Sequence, residues 1–147
     1  MKVHIETTLA TSADRAWNAL LKTESFAHVT HGFLLGFDNI DQWPDAFVEG
    51  AEIETRLVLF NLLPLWKHNL RIVRVDPEQR LVVSREGGGP VHTWNHRIEI
   101  TPLDEQRCRY LDEVDIKAGI LTPFVWLFAQ TFYRYRQARW RRLAQTL

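Results

Sequence analysis

Gly119-Ile120-Leu121-Thr122-Pro123-Phe124-Val125-Trp126-Leu127-Phe128-Ala129-Gln130-Thr131-Phe132-Tyr133 is where the chain changes period, and the fold turns on that change. Before Gly119, apolar residues alternate at every second position. After it they recur at helical spacing, as Leu121, Val125, Phe128, Phe132, Tyr135 and Leu143. Thr122 reads as an N-cap, with Pro123 in the first turn, where a missing N–H costs nothing. Neither glycine nor proline interrupts 124–147. The spacing therefore predicts one helix of about 24 residues, roughly 36 Å long. A single core in a small domain rarely needs so long a helix, but a sheet that curls along its whole length does.

Working back from that helix, the spacing predicts strands. Arg107 to Lys117 and Val91 to Thr101 flank a turn at Pro102 to Gln106. Arg80 to Glu86 is a further strand, broken by Gly87-Gly88-Gly89-Pro90. Leu65 to Val75 and Ala51 to Asn61 alternate, and Phe33 to Phe37 is a short strand before a loop over 38–50. At the N-terminus Val3, Ile5, Thr7 and Leu9 share one face of a strand. Thr11-Ser12 then offers a hydroxyl cap to a short helix over Ala13 to Lys22. A second helix over Glu24 to His31 is closed by Gly32. No repeat, linker or low-complexity tract divides 1–147, so the expectation is one α+β domain. Its curved antiparallel sheet has about six to seven strands, with two short helices after the first of them.

The 147 residues suffice for one substantial core. Six tryptophans and eight phenylalanines suit an aromatic-lined pocket, though such a supply more often serves a core of large side chains. The single cysteine, Cys108, excludes an intrachain disulfide and any cysteine-rich zinc site. With no apolar leader at the N-terminus and no run long enough to span a bilayer, the expected location is cytoplasmic. The net charge of zero is unevenly spread. Residues 116–147 hold Lys117, Arg134, Arg136, Arg139, Arg141 and Arg142 without an acid, a net +6, and the rest of the chain carries −6.

The order of elements resembles the START / pollen-allergen / polyketide-cyclase (helix-grip, SRPBCC) superfamily. The resemblance rests on Thr11-Ser12-Ala13-Asp14-Arg15-Ala16-Trp17 after the opening strand, on Val48-Glu49-Gly50-Ala51-Glu52-Ile53 and Arg74-Val75-Asp76-Pro77, on Tyr110-Leu111-Asp112-Glu113-Val114-Asp115, and on the Arg-rich terminal helix. It implies a sheet gripping the last helix. It does not choose among the superfamily's lipid carriers, hormone and quinone binders, cyclases and dehydratases.

Strand parity sorts the inward side chains. The expected inward sets are Ile53, Thr55, Leu57 and Leu59; Trp66, His68, Leu70 and Ile72; His92, Trp94, His96, Ile98 and Ile100; and Cys108, Tyr110, Asp112, Val114 and Ile116. A turn centred near 103–104 sets His96 across from Tyr110 or Asp112. A buried polar group without a partner costs roughly 2–7 kcal/mol. Three readings of His96, Tyr110 and Asp112 follow: a structural pair, an orienting polar end for an apolar ligand, or an acid and base for cyclisation, dehydration or hydrolysis. The expected ligand-binding set is Trp66, His68, Trp94, His96, Ile98, Tyr110, Asp112, Phe128 and Phe132. The catalytic candidates are His96, Tyr110 and Asp112.

No metal site is expected, since His92 and His96 on one strand stand about 13 Å apart. No cofactor is expected, and Gly87-Gly88-Gly89 lies between strands, as no phosphate loop does. The leading expectation is a binding module for a small hydrophobic molecule such as a lipid, quinone or polyketide. The alternatives are a metal-free cyclase/dehydratase-like enzyme, and an interaction protein working through the basic helix. Most of the arginines suit the helix dipole and a solvated face. Peripheral membrane contact through Arg134–Arg142 and a homodimer through an exposed edge strand stay open; nucleic acid is not expected.

Overall fold

The computed structural model describes residues 1–147. Strand β1 (Lys2–Leu9) leads into helices α1 (Ala13–Leu20) and α2 (Thr23–Thr30). Six further strands follow: β2 (Leu35–Phe37), β3 (Glu52–Leu59), β4 (Leu63–Asp76), β5 (Leu81–Gly88), β6 (Val91–Pro102) and β7 (Cys108–Lys117). Helix α3 (Thr122–Ala144) ends the chain. All neighbouring strands are antiparallel, in the order β1-β7-β6-β5-β4-β3-β2. This seven-stranded sheet curls into a half-barrel with α3 along it. No helix is long and apolar enough to cross a membrane.

Local signals account for most boundaries. Ser12 caps α1, its Oγ accepting from the Arg15 N–H at 3.3 Å. Gly32, at φ +82°, turns the chain out of α2. Thr122 departs from its expected role. It is the first residue of α3, and its hydroxyl works backwards, accepting from the Ala118 N–H at 2.9 Å and donating to the Gly119 carbonyl at 2.7 Å.

The buried face of α3 is also rotated from the expected stripe. It consists of Ala129, Tyr133, Arg136, Gln137, Trp140 and Ala144, while Val125, Phe128, Phe132, Tyr135 and Leu143 are half-buried and Leu121 is exposed. The reason is chemical. Two of the six most deeply packed positions are polar, so a search for apolar periodicity finds the flank and misses the centre. The long helix links two clusters: Trp140 and Ala144 pack with α1 and α2, and Ala129 and Tyr133 pack with Val91, Trp94, Val114 and Ile116.

Side chains of α3 also tie the helix to β1. Trp126 Nε1 donates to the Lys2 carbonyl at 2.8 Å, and Gln137 Nε2 donates to the Ile5 carbonyl at 2.7 Å. The opposite edge, β2, is only three residues long.

The inward sets of β3, β4 and β7 are as parity predicts, with one exception on β6. His92 is exposed and Val91 takes the inside position, because the β5–β6 register shifts between Glu86 and Gly88. The β6–β7 register differs as well. His96 pairs with Val114, and Ile98 pairs with Asp112, so His96 reaches Asp112 along the diagonal and Tyr110 lies opposite Ile100.

The glycine turn between β5 and β6 has a definite packing reason. Gly89 sits at φ +52°, and a Cβ there would lie 2.3 Å from Cγ of Trp66. Gly89→Ala is expected to cost about 1–3 kcal/mol through strain and displacement of the indole. Thermal unfolding checks the loss, and a shift in tryptophan emission checks its location.

Candidate functional site

Between the sheet and α3 lies a cavity of about 430 Å³, lined by 20 residues of which 15 are hydrophobic. That size falls within the range of small-molecule sites. One end is open, for its lining residues Leu121 and Phe124 are 41% and 72% exposed. Leu57, Leu59 and Leu65 of the β3–β4 hairpin face them across this mouth. Aromatic rings form the middle. Phe128 and Phe132 stack at 6.0 Å between centroids, and Phe33 packs edge-on against both.

The inner end is polar. His68, Glu86, His96, Tyr133 and Arg136 reach the cavity wall there. Glu86 is held from two sides, by His68 Nε2 at 3.1 Å and by the Ser84 hydroxyl, which donates at 2.6 Å. His96 Nε2 lies 2.8 Å from Asp112 Oδ1. Gln137 Nε2 donates to Asp112 Oδ2 at 3.0 Å. Arg136 donates to the Tyr110 hydroxyl at 2.8 Å and lies 3.6 Å from Asp112 Oδ1. Its guanidinium also lies 5.7 Å from the centre of the Phe26 ring and 5.5 Å from that of Tyr133. Trp94 Nε1 donates to the Tyr133 hydroxyl at 3.0 Å.

Burial alone pushes both inner carboxyls up, but their partners outweigh it. The hydrogen bond and charge of His68 hold Glu86 below the ordinary glutamate range, and the charge of Arg136 with the hydrogen bond of His96 does the same for Asp112. Burial, reinforced by the Glu86 carboxylate, raises the Tyr133 phenol well above its ordinary value, so it stays a hydrogen-bond donor. Tyr110 is raised likewise, mainly by burial. Burial works against the Arg136 cation, yet Tyr110 and Asp112 more than offset it.

Three buried polar atoms on cavity-lining residues have no partner in the protein: Trp66 Nε1, His68 Nδ1 and Arg136 Nε. His96 Nδ1 is likewise not engaged in any of the wall's hydrogen bonds, since only its Nε2 is held. The first three atoms are enclosed by neighbouring protein atoms, whereas the His96 Nδ1 is not among the enclosed ones.

Of the residues singled out in the sequence, Trp66, His68, Trp94, His96, Phe128 and Phe132 line this cavity. Ile98 lines a smaller void of about 40 Å³ beside it. Tyr110 and Asp112 are fully buried and absent from the wall, and they act on it only through Arg136 and His96. Sequence reasoning missed Ser84, Glu86, Tyr133 and Arg136. Parity along β5 was the available signal for two of them, since Val82, Ser84 and Glu86 share a face. Arg136 was hidden among the other arginines of its helix, although it is 3% exposed.

Comparison with solved structures gives whole-chain likenesses at low identity. A truncated norcoclaurine synthase from Thalictrum flavum matches at 15% identity, covering 97% of this chain and 92% of that one, with a TM-score of 0.69. A START superfamily protein from Mycobacterium smegmatis matches at 15%, covering 99% and 97%, with a TM-score of 0.67. The Zhui aromatase/cyclase from Streptomyces sp. R1128 matches at 12%, covering 99% and 93%, with a TM-score of 0.70. These likenesses show the fold, a helix-grip arrangement shared with those proteins, and carry no role with it. No curated protein matches in sequence. Residues 39–146, which hold every cavity-wall residue except Phe26, Leu35 and Phe37, match the family model described as "Domain of unknown function (DUF8410)", and the chain belongs to that family.

Proposed function

We propose that the protein binds a small, mostly apolar molecule with one polar end, in the cavity between the sheet and α3. One observation carries this reading: an apolar space of about 430 Å³ ends on His68, Glu86, His96, Tyr133 and Arg136, and there the Nδ1 of His96 makes no hydrogen bond within the protein. Burial of ligand surface supplies the driving force, at roughly 25 cal/mol per Å². The polar end fixes orientation, since a ligand that leaves the His96 nitrogen unpaired is penalised.

The test is fluorescence titration with N-phenyl-1-naphthylamine, followed by displacement with matched alkane, alcohol and ketone series. Polar-ended competitors are expected to displace the probe better than alkanes of equal length, and His96→Gln is expected to erase that preference while leaving probe affinity nearly unchanged. An equal ranking in both proteins would remove the polar end from the proposal. Native mass spectrometry with denaturing extraction then identifies a co-purified molecule.

A second reading, a metal-free cyclase/dehydratase-like enzyme, is favoured by one feature. Asp112 holds one nitrogen of His96 while the ring lines the cavity, which is how a carboxylate orients an imidazole base. It predicts turnover whose pH profile changes in His96→Gln. A profile unaltered by that substitution rules the reading out.

A further inference from the structure

The cavity mouth carries the strongest unexplained feature of the surface. Eight of the twelve exposed large apolar side chains fall in three short segments, around Leu34, over Phe60–Leu63 and over Ile120–Leu127. Packing brings the three together. The Phe60 N–H donates to the Leu34 carbonyl at 2.7 Å, the Phe33 ring lies 5.7 Å from that of Phe128, and Leu59 and Phe124 line the same opening. The segments are also free of charge: residues 33–37, 57–66 and 118–133 contain no acid and no base.

The hairpin tip adds an independent sign. Phe60 and Asn61 sit at φ +54° and +55°. A phenylalanine in the left-handed region is strained, and Phe60 is 62% exposed, so it buries little in return. Strain that displays an aromatic ring to solvent points to a role for the ring outside the free protein.

We propose that this rim docks on a lipid surface, with the β3–β4 hairpin and the start of α3 dipping into the interface so that the ligand passes between bilayer and cavity without crossing water. Three arguments choose a lipid surface over other occupants. A second copy or a protein partner seated on the rim would seal the mouth, whereas a bilayer is itself apolar where the mouth opens. A partner recognised by charge finds none to pair with in these segments. Protein interfaces also ring an apolar centre with polar residues, and here apolar residues continue from the rim into the cavity. The basic residues Arg141 and Arg142 lie in the last turn of α3, at the other end of a helix roughly 35 Å long. Docking by the rim therefore leaves them facing away, and the contact is apolar in origin.

The direction of ligand transfer rests on the binding reading above, but docking itself is read without ligand. The full chain is floated with vesicles of phosphatidylcholine alone and with added phosphatidylglycerol. The wild type is expected to float with both, with little dependence on salt. Leu62 and Ile120 are 78% and 93% exposed and do not line the cavity. Leu62→Asp with Ile120→Asp is expected to reduce flotation about tenfold or more while retaining N-phenyl-1-naphthylamine binding. Arg141→Glu with Arg142→Glu is expected to float as the wild type does. Absence of wild-type flotation, normal flotation of the Leu62/Ile120 variant, or a rim substitution that instead splits a dimer would each overturn docking. Loss of probe binding by a wild type that still floats would sink the cavity reading alone.

Discussion

Asp112→Asn is expected to remove about 3–5 kcal/mol of stability, the ordinary cost of breaking a buried ion pair from one side. Asp112 is fully buried, and its carboxylate is the only acid within salt-bridge range of Arg136, which is itself 3% exposed. Asparagine keeps the volume and an acceptor for Gln137, but leaves the guanidinium without a counter-charge. Thermal unfolding should fall by roughly 10 °C or more at this chain length. The paired replacement Asp112→Leu with Arg136→Met is expected to recover much of the loss, because it removes both charges together. A single variant as stable as the wild type would mean that Arg136 is compensated elsewhere.

The same groups set the response to acid. Asp112 and Glu86 are both held lower in the folded protein than in the unfolded chain. A carboxyl lowered by folding adds stability that is fully present above its unfolded value, near 4 for both types, and is lost as pH falls through the folded value. The contribution of these two carboxyls is therefore expected to be level from neutral pH down to about 5 and to drop below about 4. Asp112→Asn should flatten that drop. Chemical denaturation at a series of pH values checks both slopes.

The architecture was legible because strands and helices leave different periods in the sequence, and because nothing in 124–147 could stop a helix. The cavity wall was half legible. Parity placed Trp66, His68, Trp94 and His96 correctly, since each lies on a strand whose alternation holds. Parity failed at His92, where a register shift exchanges faces. His96 does meet Asp112 across the two strands, on the diagonal, with Val114 directly opposite. The helix contribution was the least legible. Arg136 and Gln137 are as buried as Trp140, and no scale of apolarity would put them there. They are stable inside because Asp112 and Tyr110 arrive from β7 to meet them, a coincidence of tertiary structure that spacing along one helix does not record.

Val125→Trp bears directly on whether the space between sheet and helix is where ligands go. Val125 is half-buried on α3, lines the cavity near its mouth and packs on the cluster formed by Trp94, Ala129 and Tyr133. An indole there projects into empty volume, so the folded protein should lose little stability and could gain some from new apolar contact. The ligand loses that volume. Affinity for N-phenyl-1-naphthylamine is expected to fall about thirtyfold or more, equivalent to roughly 2 kcal/mol. Leu59→Trp on the facing hairpin should act in the same way from the opposite wall, which separates blocking of the space from damage to one helix. Undiminished probe binding in both folded variants would place the binding site elsewhere, and the polar wall of His68, Glu86, His96 and Arg136 would then be a structural network.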